Sequence, residues 1–127
     1  MVVHGEPGMD EISPLGPTSV VEVRHGTLSH WTIDADIAGV AGVRGEHLVG
    51  GDPSENATLI ESVLAGGGPP GAQAAVILNG AAAYYVSTMG TTFGDAVTAA
   101  KSALAQGVGM DALSRLRIVS RRAAGLA

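Results

Sequence analysis

The sequence predicts an incomplete α/β fold made of a strand stub, a β-hairpin and three to four helices. Three observations carry this. A β-branched run, Thr18-Ser19-Val20-Val21-Glu22-Val23, is followed by the turn residues Arg24-His25-Gly26 and a second run, Thr27 to Ile33. Gly/Pro clusters at Gly50–Pro53 and Gly66–Gly71 cut the rest of the chain into helix-length pieces. The stretch Ala72–Val86 is apolar almost throughout and carries no charge.

Taken in order, Met1-Val2-Val3 reads as the tail of a buried strand that enters the loop His4-Gly5-Glu6-Pro7-Gly8. So short a strand needs neighbours on both sides, which predicts further sequence upstream. The hairpin is expected at Thr18–Ile33, and the link Asp34–Gly51 is expected to be loop-rich, with a helical turn at Asp36–Val40. Asp52 can cap a helix, Pro53 suits its first position and Glu55 completes a box; Ala57, Ile60, Val63 and Leu64 then share one face. Gly66 to Gly71 ends that helix. A second helix, about Ala72 to Met89, should be buried on most sides because no face of it is polar. A third starts at the cap Thr92, with Asp95 three residues on, and stops at Gly107. A fourth starts at Met110 or Asp111 and places Leu113, Leu116 and Val119 at helical spacing; its arginines fall towards the end that favours cations. One hairpin cannot cover a helix that is apolar all round, so this order suits the C-terminal part of a larger α/β domain.

Composition excludes several classes of function. Hydrophobic residues make up 46% of the 127 and mean hydropathy is +0.29, too high for disorder from low hydrophobicity. The net charge of −5 argues against a nucleic-acid partner, whose phosphates call for Lys and Arg. Without Cys there are no disulfides and no thiolate metal sites, which fits a cytoplasmic location. The N-terminus has no basic or long apolar region of the secretory kind, and no stretch reaches the roughly 20 residues of a membrane span.

The sharpest local feature is His4-Gly5-x-x-Gly8-x-Asp10-Glu11-x-Ser13. Two adjacent carboxylates on a Gly-rich turn can face one region, whereas on a straight strand they would point to opposite sides. Such a pair suits Mg²⁺, which keeps several waters and takes few protein ligands. Spacing alone favours a solvated turn over a metal site. Ser13 could serve the metal or the turn equally. Asn79 is expected to bond backbone or a neighbouring element, and Asn56 and Glu55 to act in capping and packing. His4 is expected to help shape the loop; His25, His30 and His47 show no ligand spacing. Gly66–Gly71 lacks the Lys and Ser/Thr of a nucleotide loop and reads as a linker. The C-terminal arginines read as a solvated helix end.

The run Val2-Val3-His4-Gly5-Glu6-Pro7-Gly8-Met9-Asp10-Glu11-Ile12-Ser13 resembles a signature of the anthranilate phosphoribosyltransferases. Pro14-Leu15-Gly16-Pro17-Thr18, then Gly50-Gly51-Asp52-Pro53-Ser54-Glu55-Asn56-Ala57 and Leu78-Asn79-Gly80-Ala81-Ala82-Ala83, extend the likeness in the same order. Only Ile118 to Ala127 lack a counterpart. The resemblance implies the C-terminal part of a nucleoside phosphorylase/phosphoribosyltransferase-type α/β domain, a partial family-3 glycosyltransferase domain over residues 1–127. It implies transfer of phosphoribose from phosphoribosyl pyrophosphate to anthranilate, in tryptophan biosynthesis. It assigns Mg²⁺ binding to Asp10 and Glu11, by position.

The departures are equally informative. The family's Gly-Thr-Gly-Gly-Asp phosphate loop, its Lys-His-Gly-Asn segment, its anthranilate-gripping Arg and its helical dimerising region have no match in this sequence. The expectation is therefore an inactive chain when alone, with no assigned catalytic residue. A pyrimidine nucleoside phosphorylase-like fragment shares the architecture and is the nearest enzymatic alternative. A non-catalytic binding module and a truncated gene product are the others.

Overall fold

A computed structural model describes residues 1–126. Strand β1 is Val2–Gly5, β2 Thr18–Arg24 and β3 Thr27–Ile33; the helices are α1 Pro53–Leu64, α2 Pro70–Ser87, α3 Phe93–Ala105 and α4 Val108–Ala123. The α/β class and the element order agree with the sequence.

The three strands form one antiparallel sheet in the order β1-β2-β3. In β2–β3 Thr18 pairs with Ile33 and Arg24 with Thr27, so the hairpin closes through the two residues His25 and Gly26. Both have positive φ, 51° and 78°, which matches the right-handed twist of the flanking strands. β1 departs from expectation. It is an edge strand paired on one side only, with Val2 opposite Val21 and Gly5 opposite Thr18, and Val2 is 68% exposed. The hairpin supplies one of its two neighbours, and its other edge is unpaired.

α1 begins as its sequence indicates. The Asp52 carboxylate accepts from the Ser54 and Glu55 N–H groups, and Glu55 accepts from the Asp52 N–H at 2.9 Å. Asn56 exchanges two bonds with the backbone of Gly51 just ahead of it, at 2.8 and 2.9 Å. Thr92 caps α3 by accepting from the Asp95 N–H. The link between β3 and α1 holds 3₁₀ turns at Ala35–Ala38 and Gly45–Leu48; the second was not expected. There His47 Nδ1 accepts from the N–H groups of Arg44 and Gly71, which joins the link to the start of α2.

One apolar cluster lies between the sheet and α2, and a second between α2 and α3. Ile12, Val20, Ile33, Ala38, Ala74 and Leu78 form the first; Ile77, Ala81, Ala96 and Val97 form the second. Trp31, Tyr85 and Phe93 meet edge to face with centroids 5.6 to 5.9 Å apart and close one end.

The helices are less covered than their composition suggested. α2 buries one face, Gly71, Ala74, Ile77, Leu78 and Ala81, while Val76, Tyr84 and Val86 on the other are exposed. In α1 only Val63 is buried and Ile60 stands in solvent. α4 starts at Val108, ahead of the expected Met110 or Asp111, and has no buried residue. The physical reason is common to all three: an apolar face is covered only when another element reaches it, and the sheet is too narrow to reach more than one side. The arginines of α4 are exposed, as expected of a solvated helix end, and Arg117 forms a surface ion pair with Glu61 of α1.

Candidate functional site

The loop between β1 and β2 carries both sequence-predicted carboxylates. Gly5 begins it with a tight return: the N–H groups of Gly8 and Met9 donate to the Gly5 carbonyl at 2.8 and 2.7 Å, and the Gly5 N–H donates to Met9 at 2.9 Å. Only glycine fits there, because a Cβ would lie 2.6 Å from the Glu11 carbonyl oxygen and 2.7 Å from the Ser13 Cβ. Gly8, at φ 115°, completes the turn.

Ile12 ends the carboxylate segment. Its side chain is fully buried in the first core cluster. Its backbone is gripped by Asn79 of α2, whose Oδ1 accepts from the Ile12 N–H at 3.0 Å and whose Nδ2 donates to the Ile12 carbonyl at 3.1 Å. Asp10 and Glu11 thus span the gap between two fixed residues, Met9 and Ile12. Both carboxylates are exposed, and neither joins an ion pair among the described residues.

Ser13 sits inside the loop's own scaffold. Its hydroxyl donates to the Glu6 carbonyl and accepts from the Leu15 N–H, and its N–H donates to Thr18 Oγ1 at 3.0 Å. Of its two expected roles, these contacts are those of turn stabilisation. His4 is exposed on β1, opposite Ser19. An apolar groove of about 320 Å³ runs beside Glu11 between α1 and α2, with Asn79, His47, Ile60 and Val76 among its walls.

The donor set can be tested against the expected metal. Among the described residues no group of three or more His, Cys, Asp or Glu side chains could hold an ion. Two carboxylates are too few for a closed protein site. They are enough for Mg²⁺ that keeps its waters and arrives on a diphosphate, since such ions are held by one or two carboxylates plus the phosphates. The residues fit an ion shared with substrate.

Sequence reasoning missed one polar cluster. Glu22, 8% exposed, accepts from Arg24 Nε at 2.6 Å, Trp31 Nε1 at 3.1 Å and the Tyr85 hydroxyl at 3.0 Å. The Arg24 guanidinium also lies 5.1 Å from the centre of the Tyr85 ring. Strand parity could have flagged it, because Thr18, Val20 and Glu22 alternate inward along β2. The hydrogen bond from Arg24 leads in holding the Glu22 carboxyl below the usual glutamate range, against the upward pull of burial and with help from Tyr85 and Trp31. A depressed folded-state pKa adds stability above the unfolded pKa, and that stability is lost as pH falls through the folded value. Glu22→Gln should therefore flatten the decline of melting temperature with acid in and below the ordinary glutamate range. Melting curves across that range check this, and parallel wild-type and variant profiles would count against it.

Among the described residues no helix is long and apolar enough to cross a membrane.

Comparison with known proteins matches residues 1–110 to the glycosyl transferase family, a/b domain. The chain is 37% identical over 125 residues to the anthranilate phosphoribosyltransferase of Rubrobacter xylanophilus, covering 98% of this chain and 36% of that one. It is 42% identical over 114 residues to the enzyme of that name from Methylobacterium radiotolerans, covering 90% and 33%. The chain thus spans about a third of the length of these curated relatives. Among solved structures, anthranilate phosphoribosyltransferase from Saccharomyces cerevisiae in complex with 4-fluoroanthranilate superposes with a TM-score of 0.74 at 24% identity, over 88% of this chain and 33% of that one. The same yeast enzyme in complex with PRPP and Mg gives 0.73 at 24% identity, over 88% and 32%. Both structural likenesses speak to the fold. A family match that runs through the carboxylate loop and the helix that grips it leads to one conclusion: the chain belongs to the glycosyl transferase family, a/b domain.

Proposed function

We propose that this chain supplies the metal-facing part of an anthranilate phosphoribosyltransferase, with Asp10 and Glu11 as the residues that meet Mg²⁺. The observation that carries this is the carboxylate loop itself, a two-residue exposed span fixed at Met9 and Ile12. The curated relatives named above support the reaction class, and one yeast structure holds PRPP and Mg together.

In the reaction the amino nitrogen of anthranilate forms a bond to the anomeric carbon of the ribose. The carbon–oxygen bond to diphosphate breaks, diphosphate leaves with the electron pair, and the amine loses a proton. Mg²⁺, when bound, neutralises charge that builds on the leaving diphosphate. This chain's part is orientation: the turn at Gly5 and the grip on Ile12 fix the backbone on either side of the two carboxylates. Residues 1–127 then form part of a family-3 glycosyltransferase α/β domain, in a cytoplasmic enzyme that dimerises through helices outside these residues. The net charge of −5 speaks against a nucleic-acid-binding role for the same fold.

Mixing this chain with the N-terminal two thirds of a relative, such as the Rubrobacter xylanophilus enzyme, tests the reading. Phosphoribosyl anthranilate should form with Mg²⁺ present, and neither part should make it alone. No product from a mixture that demonstrably assembles would overturn the reading. Product from this chain alone would overturn its expected inactivity in isolation.

A further inference from the structure

The carboxylate loop and α2 are far apart in sequence, yet one side chain joins them. We infer that Asn79 is a positioning residue for Asp10 and Glu11, fixing the metal-facing carboxylates through the backbone of Ile12. The inference rests on the metal reading of that pair.

All of Asn79's hydrogen-bonding groups are committed. Oδ1 accepts from the Ile12 N–H at 3.0 Å, while Nδ2 donates to the Ile12 carbonyl at 3.1 Å and to the Ala75 carbonyl at 3.0 Å. The amide cannot turn over, since the reverse orientation would set its NH₂ against the Ile12 N–H and its oxygen against two carbonyls. The third bond ties the side chain to its own helix, so the grip moves only if α2 moves. α2 in turn is seated by Ala74 and Leu78 in the cluster that buries Ile12.

Core packing by itself would hold the Ile12 side chain but leave its peptide planes free to rotate. Asn79 fixes both faces of the Ile12 backbone, one peptide unit from Glu11. The Gly5–Met9 turn does the same on the other side of Asp10. Removal of one such support costs a metal site about 10- to 100-fold in affinity or activity.

The test uses the 127-residue chain with Mn²⁺ and inorganic pyrophosphate, the metal replacing Mg²⁺ and the pyrophosphate supplying the phosphate oxygens that two carboxylates leave unfilled, read by paramagnetic broadening of its backbone amide signals. Broadening centred on Asp10 and Glu11 is expected in the wild type, and Asn79→Leu should weaken that binding about tenfold or more. Ala83→Gly, on the exposed face of the same helix, controls for loss of helix stability and should bind as the wild type does. If Asn79→Leu fails to fold, Asn79→Ala takes its place. Equal Mn²⁺ affinity in wild type and Asn79 variant overturns the inference, as does an equal loss in Ala83→Gly.

Amide hydrogen exchange without metal separates the two readings. The Asn79 variant should speed exchange at Ile12 relative to Val20. Faster exchange at Ile12, with no Mn²⁺ broadening in the wild type, would uphold the positioning and reject the metal assignment. Unchanged exchange at Ile12 would reject the positioning.

Discussion

Replacing Asp10 with Asn and Glu11 with Gln together should lower Mg²⁺-dependent transfer in the assembled two-part protein by about 100-fold or more, with little change in stability. The size follows from the chemistry. A metal clamp on a leaving group is worth several kcal/mol, and each 1.36 kcal/mol is a factor of ten in rate. Amides keep the shape and lose the charge, and Mg²⁺ selects anionic oxygen. The stability forecast comes from the loop. Both side chains are exposed and take part in no ion pair among the described residues, and surface changes of this kind usually stay within about 0.5 kcal/mol. The loop's shape rests instead on Gly5, Met9, Ile12 and Ser13. Initial rates over a Mg²⁺ titration, beside melting curves, measure both quantities. Full activity in the double variant would remove the metal assignment. Lost activity with a lower melting temperature would point to collapse of the loop.

The parts of this fold that could be read from sequence are those built by neighbouring residues. Asp52, Pro53 and Glu55 start α1 through contacts no more than three residues apart, and Thr92 does the same for α3. The hairpin turn follows from His25 and Gly26 alone. What could not be read depends on distant partners. β1 looked like a buried strand because Val-Val is apolar, but burial is set by what lies alongside, and one of its edges is unpaired. α2 departs in the same way: an apolar helix face does not say whether anything covers it. The site divides along this line too. Asp10 and Glu11 were visible as a motif, whereas the grip of Asn79 spans 67 positions, and Glu22 meets Tyr85 across 63. Asn79 was expected to bond backbone or a neighbouring element, but which backbone it holds became clear only in three dimensions.

Leu78→Ala should cost about 3 kcal/mol, whereas Val76→Ala, two positions away on the same helix, should cost well under 1 kcal/mol. Leu78 is fully buried against Ile12, Val20 and Ile33, and Val76 is 40% exposed. A domain has only about 5–15 kcal/mol to lose, so the first change removes a large part of its stability. Urea midpoints at low protein concentration give both values. The contrast depends on the helix having one covered face, so it also reports on association. If the outer face of α2 is buried against another chain, Val76→Ala becomes costly and its effect grows with protein concentration. Leu78 also neighbours Asn79 in sequence and Ile12 in space, which links the core to the carboxylate loop. Under denaturant too weak to unfold the chain, Leu78→Ala should raise hydrogen exchange at Ile12 more than at Val97, which belongs to the second cluster. Equal exchange at both sites would mean that the two clusters open as one unit.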